Sequence, residues 1–213
     1  GAGRAASAAV EVAREQVAAL LPKGGRVHFT SGATEALNWA LTSGVRIAPG
    51  GVAGSAIEHQ AVLQGLEILG ATIIPVDAEG LVPPAGEAVL PERGIVALML
   101  VNNEIGTIQP VADYAEAAHA RGSLLLCDAV QGYGRMAIPD GPDLIAISAH
   151  KIHGPKGIGA LWVRDQVRLP PLLLGGGQEH GMRSGTVSPA LVAGFGAAAQ
   201  LAAERITADA GHV

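Results

Sequence analysis

Short apolar runs alternate with helical apolar patterns along this chain, and that alternation restricts the fold more than any other feature. Ala, Val and Leu recur at helical spacing over residues 4–21, and the pattern stops before Pro22 and Gly24-Gly25. Strands are expected at residues 26–30, 51–57, 72–76, 94–101, 124–127 and 143–148. Helices are expected at residues 33–41, 59–69, 111–121 and 191–205. Residues 159–163 read as the antiparallel return of a hairpin. Such a sequence builds an α/β fold of three αβα layers, with a mostly parallel sheet that includes one antiparallel strand. Ligands bind such sheets beyond the carboxyl ends of the strands. No repeat or low-complexity tract interrupts the pattern, so residues 1–213 are expected to form one domain.

Composition narrows the function. Hydrophobic residues make up 49% of the chain and charged residues 15%, as in a globular protein with a sizeable core. Fourteen basic against nineteen acidic side chains give a net charge of −5, which offers no nucleic-acid surface. The longest apolar run, residues 94–101, is too short to span a bilayer. The Ala-rich N-terminus lacks the pattern of an export signal, and the lone Cys127 forms no internal disulfide. These points together lead to the expectation of a cytoplasmic protein.

Polar clusters follow four of the expected strands, so they should gather at one sheet edge. Ser148-Ala149-His150-Lys151 is the most informative. A lysine at the mouth of a buried strand is poorly hydrated, which lowers its pKa and suits it to nucleophilic work on an aldehyde. Thr30-Ser31-Gly32-Ala33-Thr34 could bind phosphate at a helix N-terminus, or simply cap that helix. Asn102-Asn103 could bind a phenolic or carboxylate oxygen, or form a turn. Asp128, at a strand end among apolar residues, needs a partner such as a protonated pyridine nitrogen. Strand alternation then turns Cys127 toward the helix layer, as a small buried hydrophobe. The glycine-rich segment 175–186 is a polar loop able to reach a phosphate on this subunit or a neighbour. Residues 154–159 lack the spacing of a P-loop, and His150 with His153 lacks further ligands, so no metal site is expected.

Six motifs, in order, resemble the cysteine desulfurases, a class V aminotransferase branch of the fold-type I pyridoxal-phosphate enzymes. They are Thr30-Ser31-Gly32-Ala33-Thr34-Glu35, Glu58-His59, Val101-Asn102-Asn103-Glu104-Ile105-Gly106, Asp128-Ala129-Val130-Gln131, Ser148-Ala149-His150-Lys151 and Arg183-Ser184-Gly185-Thr186. The resemblance implies a pyridoxal 5'-phosphate cofactor bound through a Schiff base to Lys151. It implies that Asp128 holds the ring nitrogen protonated and that His59 stacks on the ring. Asn103 and Gln131 would lie near the phenolic oxygen. Ala33, Thr34, Ser148 and His150 would hold the phosphate, with Thr186 contributed from the second subunit of a homodimer. The implied reaction converts L-cysteine to L-alanine and passes sulfur to an acceptor protein, with iron–sulfur cluster assembly as its use. The resemblance also implies that the 213 residues are the large domain alone, without the family's small domain and its persulfide-forming cysteine. Another class V activity, such as an aminotransferase or selenocysteine lyase, stays open, as does a non-catalytic dimerisation partner.

Overall fold

A computed structural model describes residues 1–210; the last three residues of the expected 1–213 domain lie outside the described residues. The elements run α1 (Ala2–Ala18), β1 (Gly25–Thr30), α2 (Ala33–Gly44), β2 (Val52–Ser55), α3 (Gln60–Ile68), β3 (Thr72–Ile74), β4 (Ile95–Ala97), α4 (Val111–Ala120), β5 (Leu124–Asp128), β6 (Leu144–Ser148), β7 (Gly159–Arg164) and α5 (Pro189–Ala210). The seven strands form one sheet in the order β1-β7-β6-β5-β4-β2-β3. Strand β7 runs antiparallel to both of its neighbours, and every other pairing is parallel. This is the mixed αβα sandwich expected from the alternation.

Strand pleating divides the core in two. Val27, Phe29, Leu125, Cys127, Ile145, Ile147 and Trp162 face α1, α4 and α5. Leu126, Leu144, Ala146, Leu161 and Val163 face α2 and α3. Trp39, Trp162, Tyr114, Tyr133, Phe29 and Phe195 are fully buried, and each such side chain stabilises the fold by about 1.5–3 kcal/mol through apolar burial alone. Helices α1 and α5 lie against each other closely enough that a Cβ on Gly196 would come within 2.7 Å of Ala13.

Strand β4 is shorter than the apolar run 94–101 suggests. Leu98 and Leu100 still donate their amides to the Leu126 and Asp128 carbonyls, at 3.0 and 2.9 Å. On the other side the sheet partner is replaced: the Met99 amide donates to Glu58 Oε1 at 2.8 Å. A side chain takes over where β2 ends, so the backbone stays satisfied without a ladder.

Candidate active site

The carboxyl ends of β5 and β6, the start of α2 and the turn before α3 enclose a pocket of about 470 Å³. Ala33, Thr34, His59, Asn103, Asp128, Gln131, Ser148, His150 and Lys151 all line it. Thr186, the remaining expected site residue, is exposed and does not line this pocket.

Each lining group is set by local structure. Strand β6 ends at Ser148, and a 3-10 turn, Ala149–Ile152, carries His150 and Lys151 into the pocket. His153 closes that turn in the left-handed region, and the Gly154 amide bonds back to the Ala149 carbonyl at 2.9 Å. Arg135 Nη2 donates to the Lys151 carbonyl at 2.8 Å, fixing the backbone from which the amine projects. Ser148 Oγ lies 2.8 Å from His150 Nδ1. His59 caps α3, its Nδ1 accepting the Ala61 amide at 3.1 Å, so its neutral form carries the proton on Nε2.

Asp128 is 5% exposed, and its Oδ1 accepts the Val130 amide at 3.0 Å. Burial pushes its carboxyl above the ordinary value, with His59 and Lys151 pulling the other way. A buried carboxylate in this position calls for a cation. Cys127, one residue earlier, points into the opposite core; burial raises its thiol well above the ordinary value, and it behaves as a hydrophobe.

The two adjacent asparagines divide the work. Asn102 makes the turn: its Oδ1 accepts the Glu104 and Ile105 amides, and its Nδ2 donates to the Ile57 carbonyl. Asn103 is left exposed at the pocket. Thr30 Oγ1 donates to the Gly32 carbonyl and Glu35 Oε2 accepts the Ser31 amide, which shapes the entry to α2. The first-turn amides of α2 have no intrahelical partners, and the residues that carry them, Ala33, Thr34 and Glu35, line the pocket. Gly159, at the start of β7, packs so tightly here that a Cβ would come within 2.7 Å of Gly32 and the Ile147 carbonyl.

Several groups at or near the site had no assigned role in the sequence reading. Glu58 is buried, and its Oε1 accepts Ser55 Oγ at 2.6 Å as well as the Met99 amide; Oε2 has no partner among the described residues. Lys156 lines the pocket from the Gly-Pro-Lys-Gly turn, a segment that carries no P-loop spacing. Glu35 lines it too and accepts Arg183 Nε at 2.7 Å. Glu179 anchors the 175–186 loop: it accepts both Arg14 terminal nitrogens, at 2.6 and 3.0 Å, and the Phe29 amide at 2.8 Å. Glu179 and His180 sit in the left-handed region, at φ 50° and 58°. Glu35, Glu58 and Arg183 fall inside the quoted motifs, and Lys156, Glu179 and His180 lie beside them; no periodicity marks any of these residues.

The residues present fit a phosphorylated, cationic-ring cofactor. Asp128 offers a buried charge, Lys151 an amine, and α2 unbonded amides at one pocket. An α/β domain with such a site at its strand ends has the design of a cofactor-binding enzyme domain. The class-V aminotransferase family model matches residues 1–212, and the chain belongs to that family, whose members are pyridoxal-phosphate enzymes.

Relatives agree. The chain is 40% identical to the probable mitochondrial cysteine desulfurase of Schizosaccharomyces pombe over 227 aligned positions, covering 99% of this chain and 45% of that protein. It is 42% identical to the mitosomal cysteine desulfurase of Encephalitozoon cuniculi, over 99% of this chain and 53% of that one. A NifS-like protein of Rickettsia africae superposes with a TM-score of 0.89 at 30% identity, over 98% of this chain and 61% of that one. The chain thus spans about half the length of the relatives it matches. The expected cytoplasmic location is overturned, because these two fungal and microsporidian relatives are named for mitochondria and mitosomes. A single free cysteine excludes an internal disulfide but does not choose among compartments.

Proposed function

We propose that this chain is the large cofactor domain of a cysteine desulfurase. Its whole enzyme would convert L-cysteine to L-alanine and deliver sulfur to an acceptor protein for iron–sulfur cluster assembly. The observation that supports this most is the meeting of Lys151, Asp128 and the α2 N-terminus on one pocket. The names of the relatives, cysteine desulfurases, support cysteine as the substrate that loses sulfur.

When bound, pyridoxal phosphate supplies an electron sink for charge developing on the substrate Cα. The chain's own residues do the rest. Lys151 would hold the cofactor through its aldehyde carbon, and its amine would carry the substrate Cα proton. Asp128 keeps the ring nitrogen protonated, its buried charge repaid by that cation. His59 would lie against the ring, held by the Ala61 amide at its Nδ1, with Nε2 as its donor. Asn103 and Gln131 reach the phenolic oxygen. Ala33, Thr34, Ser148 and His150 receive the phosphate, completed by Thr186 from the second subunit of a homodimer. Thr186 lies off its own pocket, which supports a role at a neighbour's.

The persulfide step needs a reachable thiolate. Cys127 is fully buried on the far side of the sheet, so this step belongs to a cysteine outside these 213 residues. The test is spectroscopic. Purified chain mixed with the cofactor should develop a visible absorbance band that survives gel filtration, and Lys151→Ala should abolish it. A colourless protein that cannot be reconstituted would sink the proposal.

A further inference from the structure

The pocket end formed by Ala33 and Thr34 also contains a carboxylate, and an anion site is weakened by a bare one. Glu35 lines the pocket, and its bond to the Ser31 amide at 2.9 Å helps α2 begin. The same bond puts a negative charge beside the first-turn amides. Arg183 answers that charge with a two-pronged contact: Nε to Oε1 at 2.7 Å and Nη2 to Oε2 at 3.2 Å. The side chains are 17% and 19% exposed, so solvent screens the pair only in part. Burial opposes the charged form of Glu35, yet the Arg183 and Ser31 bonds outweigh it and hold the carboxyl below its ordinary value. Arg183 arrives on a loop 148 residues further along, and Glu179 fastens that loop to Arg14 and Phe29. The guanidinium is therefore in place before any ligand arrives.

We propose that Arg183 is a positioning residue that cancels the Glu35 charge at the phosphate end of the pocket, so that the first turn of α2 can take up a dianion. This rests on the cofactor reading above. The competing role is mechanical, a clip that only fastens the 175–186 loop.

Equilibrium titration of the 213-residue chain with pyridoxal phosphate, and separately with pyridoxal, which lacks the phosphate, distinguishes the two. Arg183→Gln should weaken pyridoxal phosphate on the order of tenfold, because an unpaired carboxylate then faces the dianion at short range. Pyridoxal affinity should not change. Glu35→Gln in the Arg183→Gln background should restore phosphate-dependent affinity, and Glu35→Gln alone should bind as tightly as the parent or more tightly. Unchanged affinity in Arg183→Gln, equal loss for both ligands, or no rescue by Glu35→Gln overturns the proposal. Should Arg183→Gln not fold, the double variant decides: parent-like affinity supports charge cancellation, and a loss overturns it. A parent chain that takes up neither ligand overturns the cofactor reading and this inference with it.

Discussion

Two buried side chains give opposite pH signatures. Burial lifts the Glu58 carboxyl from 4.5 to about 7. The folded protein then holds more protons than the unfolded one across that window, so the group's effect on stability turns adverse as pH rises through it. The loss approaches about 3 kcal/mol at the alkaline end. His28 behaves in reverse: burial lowers it from 6.5 to about 4, and stability falls as pH drops through that interval. The two slopes oppose each other between 4.5 and 6.5, so Glu58 shows undisguised only above the latter. Glu58→Gln keeps an acceptor for Ser55 and Met99 but carries no charge. Its urea midpoint should match the parent's in acid and exceed it increasingly toward alkaline pH; a gap that shrinks with pH would refute this. Asp128→Asn removes the buried charge expected to face the ring nitrogen. Cofactor affinity should fall about tenfold or more by equilibrium titration, and an unchanged affinity would remove Asp128 from the cofactor site.

Among the elements, the sheet was legible because strand runs end at Gly, Pro or polar clusters, and each expected strand and helix has a counterpart. The expected strand 94–101 overran because apolar pattern reports burial and not ladder bonding; Met99 is buried but bonds to Glu58. The candidate site was legible to the extent that the groups lining its pocket sit at or just past strand ends, as Asp128 and Lys151 do. Glu58, Glu35 and Arg183 act through contacts between distant segments, which local spacing cannot display. Close approach at two glycines was hidden for the same reason. Gly159→Ala would press a methyl into Gly32 and the Ile147 carbonyl, both backbone. It should destabilise the fold by about 1–3 kcal/mol, read from the denaturant midpoint, and distort the α2 entry. Gly196→Val should part α1 from α5 at Ala13 with a loss of similar size, about 1–3 kcal/mol, but leave the pocket untouched. Equal effects of the two on cofactor binding would contradict this separation.

At the scale of the whole molecule, pocket and thiol are kept apart. The sheet stands between Cys127 and the helices α2 and α3 that border the cofactor pocket. Sulfide release from cysteine by the 213-residue chain, assayed with a reductant, should stay at background, and Cys127→Ala should change nothing. Robust turnover would show that a thiol within these residues can serve. The pairing of β1 with β7 has a further consequence, in the order of folding. It joins Gly25–Thr30 to Gly159–Arg164, so the α2 entry meets Gly159 only after a loop of more than a hundred residues has closed. Pairings so distant in sequence form slowly. The ligand end of the pocket is therefore expected among the last parts to assemble, so that a captured cofactor would report a finished sheet. At a hundredfold excess over its dissociation constant it would add about 2.7 kcal/mol to that state alone.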